Sequence, residues 1–132
     1  MANLGNAYAA LGRSHEAIEF YQQALAISRT VGDRRAENYI LSTLGMVSAR
    51  LGEFLRAIEF YQQRLAIVRG IGDQRSEATT LHQIAIALEN LSRREQAVHY
   101  AEAALKVYER LEDSRMKKVS EHLAQWLEKN HK

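Results

Sequence analysis

The amino-acid sequence predicts an all-α fold, an α-solenoid in which antiparallel helix pairs stack one after another. Three observations support this prediction: an internal repeat of 40 residues, apolar residues at helical spacing, and glycine-containing turns. The 132 residues include no proline, so no residue removes a backbone N–H donor from the interior of a helix. Hydrophobic residues make up 46% of the chain, which is enough to fill the core of one domain.

The internal repeat is the strongest of these signals. When residues 3–37 are aligned with residues 43–77, at an offset of 40, 20 of the 35 positions are identical. The identities include an unbroken run in which Ala17–Gln23 matches Ala57–Gln63. A fixed period of this length is typical of repeat architectures, in which each unit buries its apolar face against its neighbours.

A third copy, residues 83–117, is more divergent. Few of its residues are identical to those of the second copy, but several replacements keep the apolar character, such as Ile84 for Leu44. Buried positions tolerate such replacements when the volume changes little. The period therefore extends over most of the chain.

Within each copy the apolar residues follow the spacing of a helix. In the second half of the first copy, four of them share one face at 3.6 residues per turn: Ala17, Ile18, Tyr21 and Leu25. Four more apolar residues form a stripe beside that face: Phe20, Ala24, Ile27 and Val31. Because the apolar surface is this wide, we expect the helix to pack against neighbours on two sides. The pattern predicts helices near residues 2–11, 14–31, 34–51, 54–71, 74–91, 94–111 and 114–129.

Glycine and aspartate mark the turns between these helices. Four glycines stand where a left-handed residue would end a helix: Gly12, Gly32, Gly52 and Gly72. Asp33 and Asp73 follow two of them and are predicted to cap the next helix by accepting its free backbone N–H groups. Glu112 replaces glycine at the corresponding place in the third copy, so we expect a differently shaped junction near residues 111–113.

Residues 1–132 are predicted to form one repeat domain. Its units are residues 1–33, 34–73 and 74–113, followed by a capping helix at 114–130. Four apolar side chains of that helix are expected to cover the third unit: Val119, Leu123, Trp126 and Leu127. By the repeat period the first helix would begin about six residues before Met1, which leaves an exposed apolar end that could self-associate.

Composition excludes several classes of function. The net charge of +2 is too small for a dominant nucleic-acid footprint, although three arginines at 40-residue spacing, Arg35, Arg75 and Arg115, keep nucleic-acid binding open as an alternative. Absence of cysteine excludes disulfides and thiolate metal sites. No apolar run approaches the ~20 residues of a membrane span, and no signal peptide is evident, so we expect a cytoplasmic protein without membrane contact.

No catalytic constellation is recognisable. The glycines are isolated, which excludes a phosphate-binding loop, and no nucleophile can be grouped with a base and an orienting residue. Two histidines without companion ligands make a poor metal site. The sequence therefore predicts a protein that is not an enzyme and needs neither metal nor cofactor.

The first copy resembles the tetratricopeptide repeat family. The resemblance rests on Leu4-Gly5, Tyr8, Leu11-Gly12, Ala17, Tyr21 and Ala24. The family's common unit has 34 residues and often a proline, whereas this chain has 40-residue units and none. The resemblance implies a right-handed α-solenoid that binds partners on a concave surface. The longer unit is similar to a variety of the family that is common in bacterial regulators and in scaffolds that bind peptide segments.

That concave surface would be lined by the first helix of each unit. Residues at i, i+3, i+4 and i+7 of these helices share one face. The candidate partner-binding residues are Arg35, Asn38, Ser42, Met46, Arg75, Thr79, His82, Ile86, Arg115 and His122. The ladder Arg35, Arg75 and Arg115 could grip carboxylates of a partner. Alternatively, these arginines pair with Glu37 and Glu77 near the helix starts.

The resulting hypothesis is a protein–protein interaction module that binds a peptide segment, acidic or C-terminal, in the groove. A self-associating scaffold that pairs through the exposed N-terminal repeat end is the alternative. Helical-repeat binding of nucleic acid is a third and weaker one.

Overall fold

A computed structural model describes residues 2–130. They form seven α-helices and no strand: α1 (Ala2–Ala10), α2 (Ser14–Val31), α3 (Arg34–Arg50), α4 (Phe54–Gly70), α5 (Gln74–Asn90), α6 (Arg94–Leu111) and α7 (Met116–Asn130). The predicted all-α fold is confirmed, and every helix end lies within two residues of its predicted position. None of the described helices is long and apolar enough to cross a membrane.

The predicted turn chemistry is confirmed at both kinds of junction. Gly32 ends α2 in the left-handed conformation, with φ 73° and ψ 26°, and its N–H donates to carbonyls of the last turn. The Asp33 carboxylate accepts a hydrogen bond from the backbone N–H of Ala36 at 3.0 Å. Asp73 caps α5 in the same way, through the N–H of Ser76 at 3.1 Å.

The junction at Glu112 differs from expectation in one respect. Glu112 adopts the left-handed conformation, with φ 52° and ψ 42°, so α6 ends as α2 does. The change in shape comes one step later, because α7 begins at Met116 and residues 114–115 form a turn. Ser92 also has a positive φ, 61°, at the place of Gly12 and Gly52 in the earlier copies.

The chain divides into two compact units, one up to Ile67 and one from Val68 onward. The prediction that residues 1–132 form a single domain of three repeats and a cap stays a prediction.

In the first unit, two tyrosines pack on two glycines. A Cβ on Gly5 would lie 2.8 Å from the Tyr21 ring, and a Cβ on Gly45 would overlap the Tyr61 ring more closely still. Both rings are buried, and burial raises the pKa of Tyr61 to about 12. Any side chain larger than hydrogen at these glycines would have to displace a ring, so the close approach of paired helices depends on them.

The predicted burial of the flanking stripe of α2 is only partly confirmed. Ala24 is buried, but Ile27 and Val31 are largely exposed. The expectation that α2 is covered on both sides is therefore wrong for its C-terminal half. Phe20 is half-buried and stacks on Tyr8, with ring centroids 5.1 Å apart.

In the second unit, α6 packs against both α5 and α7. Val119, Leu123 and Trp126 are buried on α7, as predicted for the capping helix. Leu127 is 43% exposed, so it is covered less completely than the other three residues. At about 100° per residue, Leu127 lies roughly 80° around the helix from Val119 and falls beyond the buried stripe.

Candidate functional site

Six of the ten predicted site residues lie in the second unit and form what we call the α5–α7 surface. Four occupy one face of α5, because about 100° per residue brings positions i, i+4, i+7 and i+11 together. They are joined by one residue just before α7 and one on α7 itself. The six are Arg75, Thr79, His82, Ile86, Arg115 and His122.

Arg75 and Arg115 meet at a single carboxylate, that of Asp113. Arg75 Nε donates to Asp113 Oδ2 at 3.1 Å, and Arg115 donates to the two carboxylate oxygens at 2.9 and 2.8 Å. The Arg115 side chain and backbone N–H hold the pKa of Asp113 well below its usual range, with a smaller contribution from Arg75. Two guanidinium groups share one negative charge, so this part of the surface keeps a net positive charge.

Thr79 connects these charges to the core. Its hydroxyl lies 2.7 Å from the hydroxyl of Tyr108, a fully buried residue of α6. Arg115 stacks over the Tyr108 ring at 5.4 Å from the centroid and reaches Thr79 Oγ1 at 3.4 Å. The guanidinium is therefore held in place from two sides while half of its side chain stays exposed.

His82 and His122 form a direct pair. Nε2 of His82 lies 2.8 Å from Nδ1 of His122, and the His122 ring stacks on Trp126 with centroids 5.4 Å apart. Burial, the neighbouring His122 and Lys118 lower the pKa of His82 to about 4. Burial and Lys118 also lower the pKa of His122. Both rings are thus neutral near pH 7, and one donates its N–H to the other.

A shallow cavity of about 270 Å³ adjoins this pair. Ile86 and Trp126 supply apolar surface, while Glu89 and Lys129 stand at the edge as a loose ion pair, 3.6 Å apart. The α5–α7 surface therefore combines a cationic end at Arg75 and Arg115 with an apolar end at Ile86.

The other four predicted residues lie on α3, in the first unit, and we call them the α3 face: Arg35, Asn38, Ser42 and Met46. Arg35 is exposed and has no hydrogen bond or ion pair within residues 2–130. Asn38 accepts a hydrogen bond from Arg64 Nε at 3.0 Å. Ser42 is half-buried, and Met46 is exposed.

The alternative pairing of the arginine ladder with Glu37 and Glu77 is wrong. Glu37 binds Arg29 at 3.1 Å and Arg34 at 3.6 Å, and Glu77 binds Arg69 at 3.0 Å. The partners come from the last turn of the preceding helix or from the start of the same one. Arg75 and Arg115 bind Asp113 instead.

The sequence analysis missed two residues of the α5–α7 surface: Asp113, which binds both arginines, and Tyr108, whose ring Arg115 stacks on. Asp113 occupies the repeat position of the capping residues Asp33 and Asp73, which is a signal that could have drawn attention to it. No pattern marks Tyr108, because the corresponding residues are Ser28 and Val68.

Within the described part of the chain, no three histidine, aspartate or glutamate side chains lie close enough together to hold a metal ion. The histidine pair supplies two nitrogens, and a tetrahedral site would need further ligands.

Comparison with known families decides the classification. A model of the tetratricopeptide repeat matches residues 1–70 and again residues 36–110. The chain belongs to the tetratricopeptide repeat family. The resemblance predicted from Leu4-Gly5 and its companion residues is confirmed. Among curated proteins, no sequence matches significantly.

Several solved structures share the fold. The apo form of RapI has 18% sequence identity and a TM-score of 0.86, covering 98% of this chain and 48% of that one. BtubC (BKLC) from P. vanneervenii has 25% identity and a TM-score of 0.82, covering 96% and 53%. The N-terminal domain of stress-induced protein-1 from C. elegans has 18% identity and a TM-score of 0.75, covering 91% and 89%.

This chain spans about half the length of the first two structures. The similarity shows the fold, a tetratricopeptide α-solenoid, and a protein–protein interaction module is the role that this fold suggests.

Proposed function

We propose that this tetratricopeptide chain binds a peptide segment of a protein partner on the α5–α7 surface. The observation that carries the proposal is the charge balance at Asp113, where Arg75 and Arg115 are held by one carboxylate and both remain half exposed or more. Each guanidinium has N–H groups left for a ligand, and the net positive charge favours an acidic one.

The mechanism is preorganised recognition. Because Arg115 is fixed by Asp113, Thr79 and the Tyr108 ring, little side-chain entropy is lost when a partner carboxylate binds it. Ile86 and the neighbouring cavity take an apolar side chain further along the peptide. The neutral His82–His122 pair lies between these ends and offers hydrogen bonding without adding charge.

The α3 face is proposed as a separate contact of the same kind. Arg35 has no partner within the described residues, and Met46 presents a flexible apolar side chain. Asn38 is held by Arg64 and can contribute its amide N–H groups.

The test begins with selection of peptides from a random library on the full chain, followed by affinity measurement by fluorescence polarisation. We expect selected peptides to be rich in Asp and Glu or to bind through their C-terminal carboxylate. Arg75→Gln should weaken their binding by about 10- to 100-fold, because a charge-assisted hydrogen bond contributes about 1.5–3 kcal/mol.

Arg93→Gln is the matched control, since Arg93 is an exposed arginine immediately before α6 whose side chain has no hydrogen bond or ion pair with the residues of this surface. It should leave the affinity unchanged. Equal losses in the two variants, or a library that yields no binder, would contradict the proposal.

Self-association through α1 and α2 is a second candidate, and internal comparison favours it. Leu4 is 48% exposed whereas Leu44, its counterpart in the second copy, is fully buried. Ile27 is 55% exposed and its counterpart Ile67 only 7%. Positions that are core elsewhere in the repeat are open here, and a second copy could cover them.

A further inference from the structure

A second recognition pocket lies between α5 and α6, in the second unit, with a volume of about 470 Å³. Its floor is apolar, because Leu81 and Val107 are both buried there. Its rim carries three cations, Arg69, Lys106 and Arg110, and two acids, Glu77 and Glu109.

One rim cation is held in a fixed direction. Arg69 Nε donates to Glu77 Oε2 at 3.0 Å, which fixes the guanidinium plane and neutralises Glu77. The terminal nitrogens of Arg69 donate no hydrogen bond within the described residues, and neither Lys106 nor Arg110 has an ion pair there. With Glu109 counted, the pocket keeps a net charge of +1.

The first unit shows what occupies the same position. Arg29, forty residues before Arg69, donates from Nε to Glu37 at 3.1 Å, just as Arg69 does to Glu77. Its Nη2 donates to the side-chain oxygen of Gln63 at 2.6 Å. The residue forty positions after Gln63 is Ala103, which lines the pocket and has no oxygen to offer.

We propose that this pocket receives the side-chain carboxylate of a glutamate from a partner protein, with Arg69 Nη2 as its donor. Gln63 provides the template, since its side chain places an sp² oxygen at the end of two methylenes against the equivalent arginine. A glutamate has the same length and adds a charge. Lys106 and Arg110 favour that charge, and Leu81 and Val107 accommodate the methylenes.

The pocket is distinct from the α5–α7 surface. At about 100° per residue, Glu77 and Leu81 lie about 120–160° around α5 from Arg75 and Thr79. A partner could therefore occupy either one without the other, and failure of one proposal leaves the other standing.

Ala103→Gln provides the test, because it supplies inside the chain the oxygen that we expect from a ligand. Glutamine is a good helix former, so α6 should be preserved. The full chain is titrated with the α-amide of N-acetylglutamate, which has one free side-chain carboxylate, while the Nε–H resonances of arginines are followed by NMR. In the wild-type chain we expect the Arg69 resonance to shift and saturate, with a Kd of about 1–10 mM.

In Ala103→Gln the affinity for this ligand should fall at least about fivefold, while the backbone spectrum stays that of a folded chain. Gln63→Ala is the matched control. It removes the oxygen that Arg29 Nη2 binds, so the Arg29 resonance should gain a response to the ligand that it lacks in the wild-type chain.

Three results would overturn the proposal: an unchanged Kd in Ala103→Gln, a linear shift without saturation, or an equal response to the neutral N-acetylglutamine amide. If inorganic phosphate bound more tightly than the carboxylate, with the same sensitivity to Ala103→Gln, the pocket would be a phosphate site and the glutamate assignment would be wrong.

Discussion

At the scale of single residues, the third copy keeps the left-handed backbone conformation at two turns where it has no glycine. Ser92 and Glu112 have positive φ values at positions that glycine fills in the other copies. A non-glycine residue in this region is strained by contact between its Cβ and the backbone, at about 1 kcal/mol. The hydrogen bonds of the helix end still form, from Arg93 N–H to the Leu88 carbonyl and from Asp113 N–H to the Tyr108 carbonyl.

Replacing these two residues by glycine should therefore stabilise the chain. We expect Ser92→Gly and Glu112→Gly each to raise the free energy of unfolding by about 0.5–1 kcal/mol, measured by urea denaturation. Gly72→Ala is the converse change, at a φ of 74°, and should lower it by about 1 kcal/mol. Destabilisation by both glycine variants would show that the strain is relieved in some other way.

The His82–His122 pair should make stability depend on pH. The folded-state pKa of His82 is about 4, below the ordinary value of 6.5, so the unfolded chain binds more protons between these values. Stability should therefore be complete above pH 6.5 and fall as the pH decreases toward 4. The expected loss is at most about 2 kcal/mol, because the pair is partly solvated.

Urea denaturation at pH 7.5 and pH 5 measures this effect, and His82→Gln is the control that removes the titrating ring. The variant should lose less stability than the wild-type chain over the same interval. Identical losses would mean that other groups cause the pH dependence.

At the scale of helices, the fit between paired helices depends on a large residue facing a small one. Tyr61 packs on Gly45, and in the third copy the equivalent positions are Ala101 and Ala85, both fully buried. One large and one small side chain fill the space between the paired helices in the second copy, and two small side chains lie at these positions in the third.

This complementarity predicts that the effect of Gly45→Ala on the free energy of unfolding changes sign when Tyr61 is also replaced. Gly45→Ala alone should destabilise by about 1 kcal/mol, because overpacking costs about 1–3 kcal/mol against a gain of about 1 kcal/mol in helix propensity. In a Tyr61→Ala background the clash is absent, and the same change should stabilise by up to about 1 kcal/mol. Thermal unfolding of the four chains gives the double-mutant cycle, and additive effects would contradict it.

The helices themselves could be predicted from the sequence because each depends on local rules. Spacing at 3.6 residues located the apolar faces, and a residue such as Gly32 followed by Asp33 located the turns. The convergence of Arg75 and Arg115 on Asp113 could not be predicted, because the hydrogen bond from Arg75 joins it to a residue 38 positions away through side-chain geometry. The exposure of Leu127 likewise depends on how wide a stripe of α7 is covered, which is decided by the packing of whole helices.

At the scale of the whole molecule, the exposed face of α1 and α2 predicts association of two copies. The mass from light scattering should rise with concentration for the wild-type chain and stay monomeric for Leu4→Lys, which places a charge on that face. Leu55→Lys is the matched control, because Leu55 is also exposed, at 56%, but lies on α4. A wild-type chain that stays monomeric at all concentrations would remove self-association from consideration.

Peptide recognition by the α5–α7 surface is tested most directly by NMR mapping of a library-selected peptide on the full chain. We expect the largest changes at the indole N–H of Trp126, the rings of His82 and His122, and the Nε–H groups of Arg75 and Arg115. Changes confined to α1 and α2, or to the pocket around Arg69, would contradict binding at this surface.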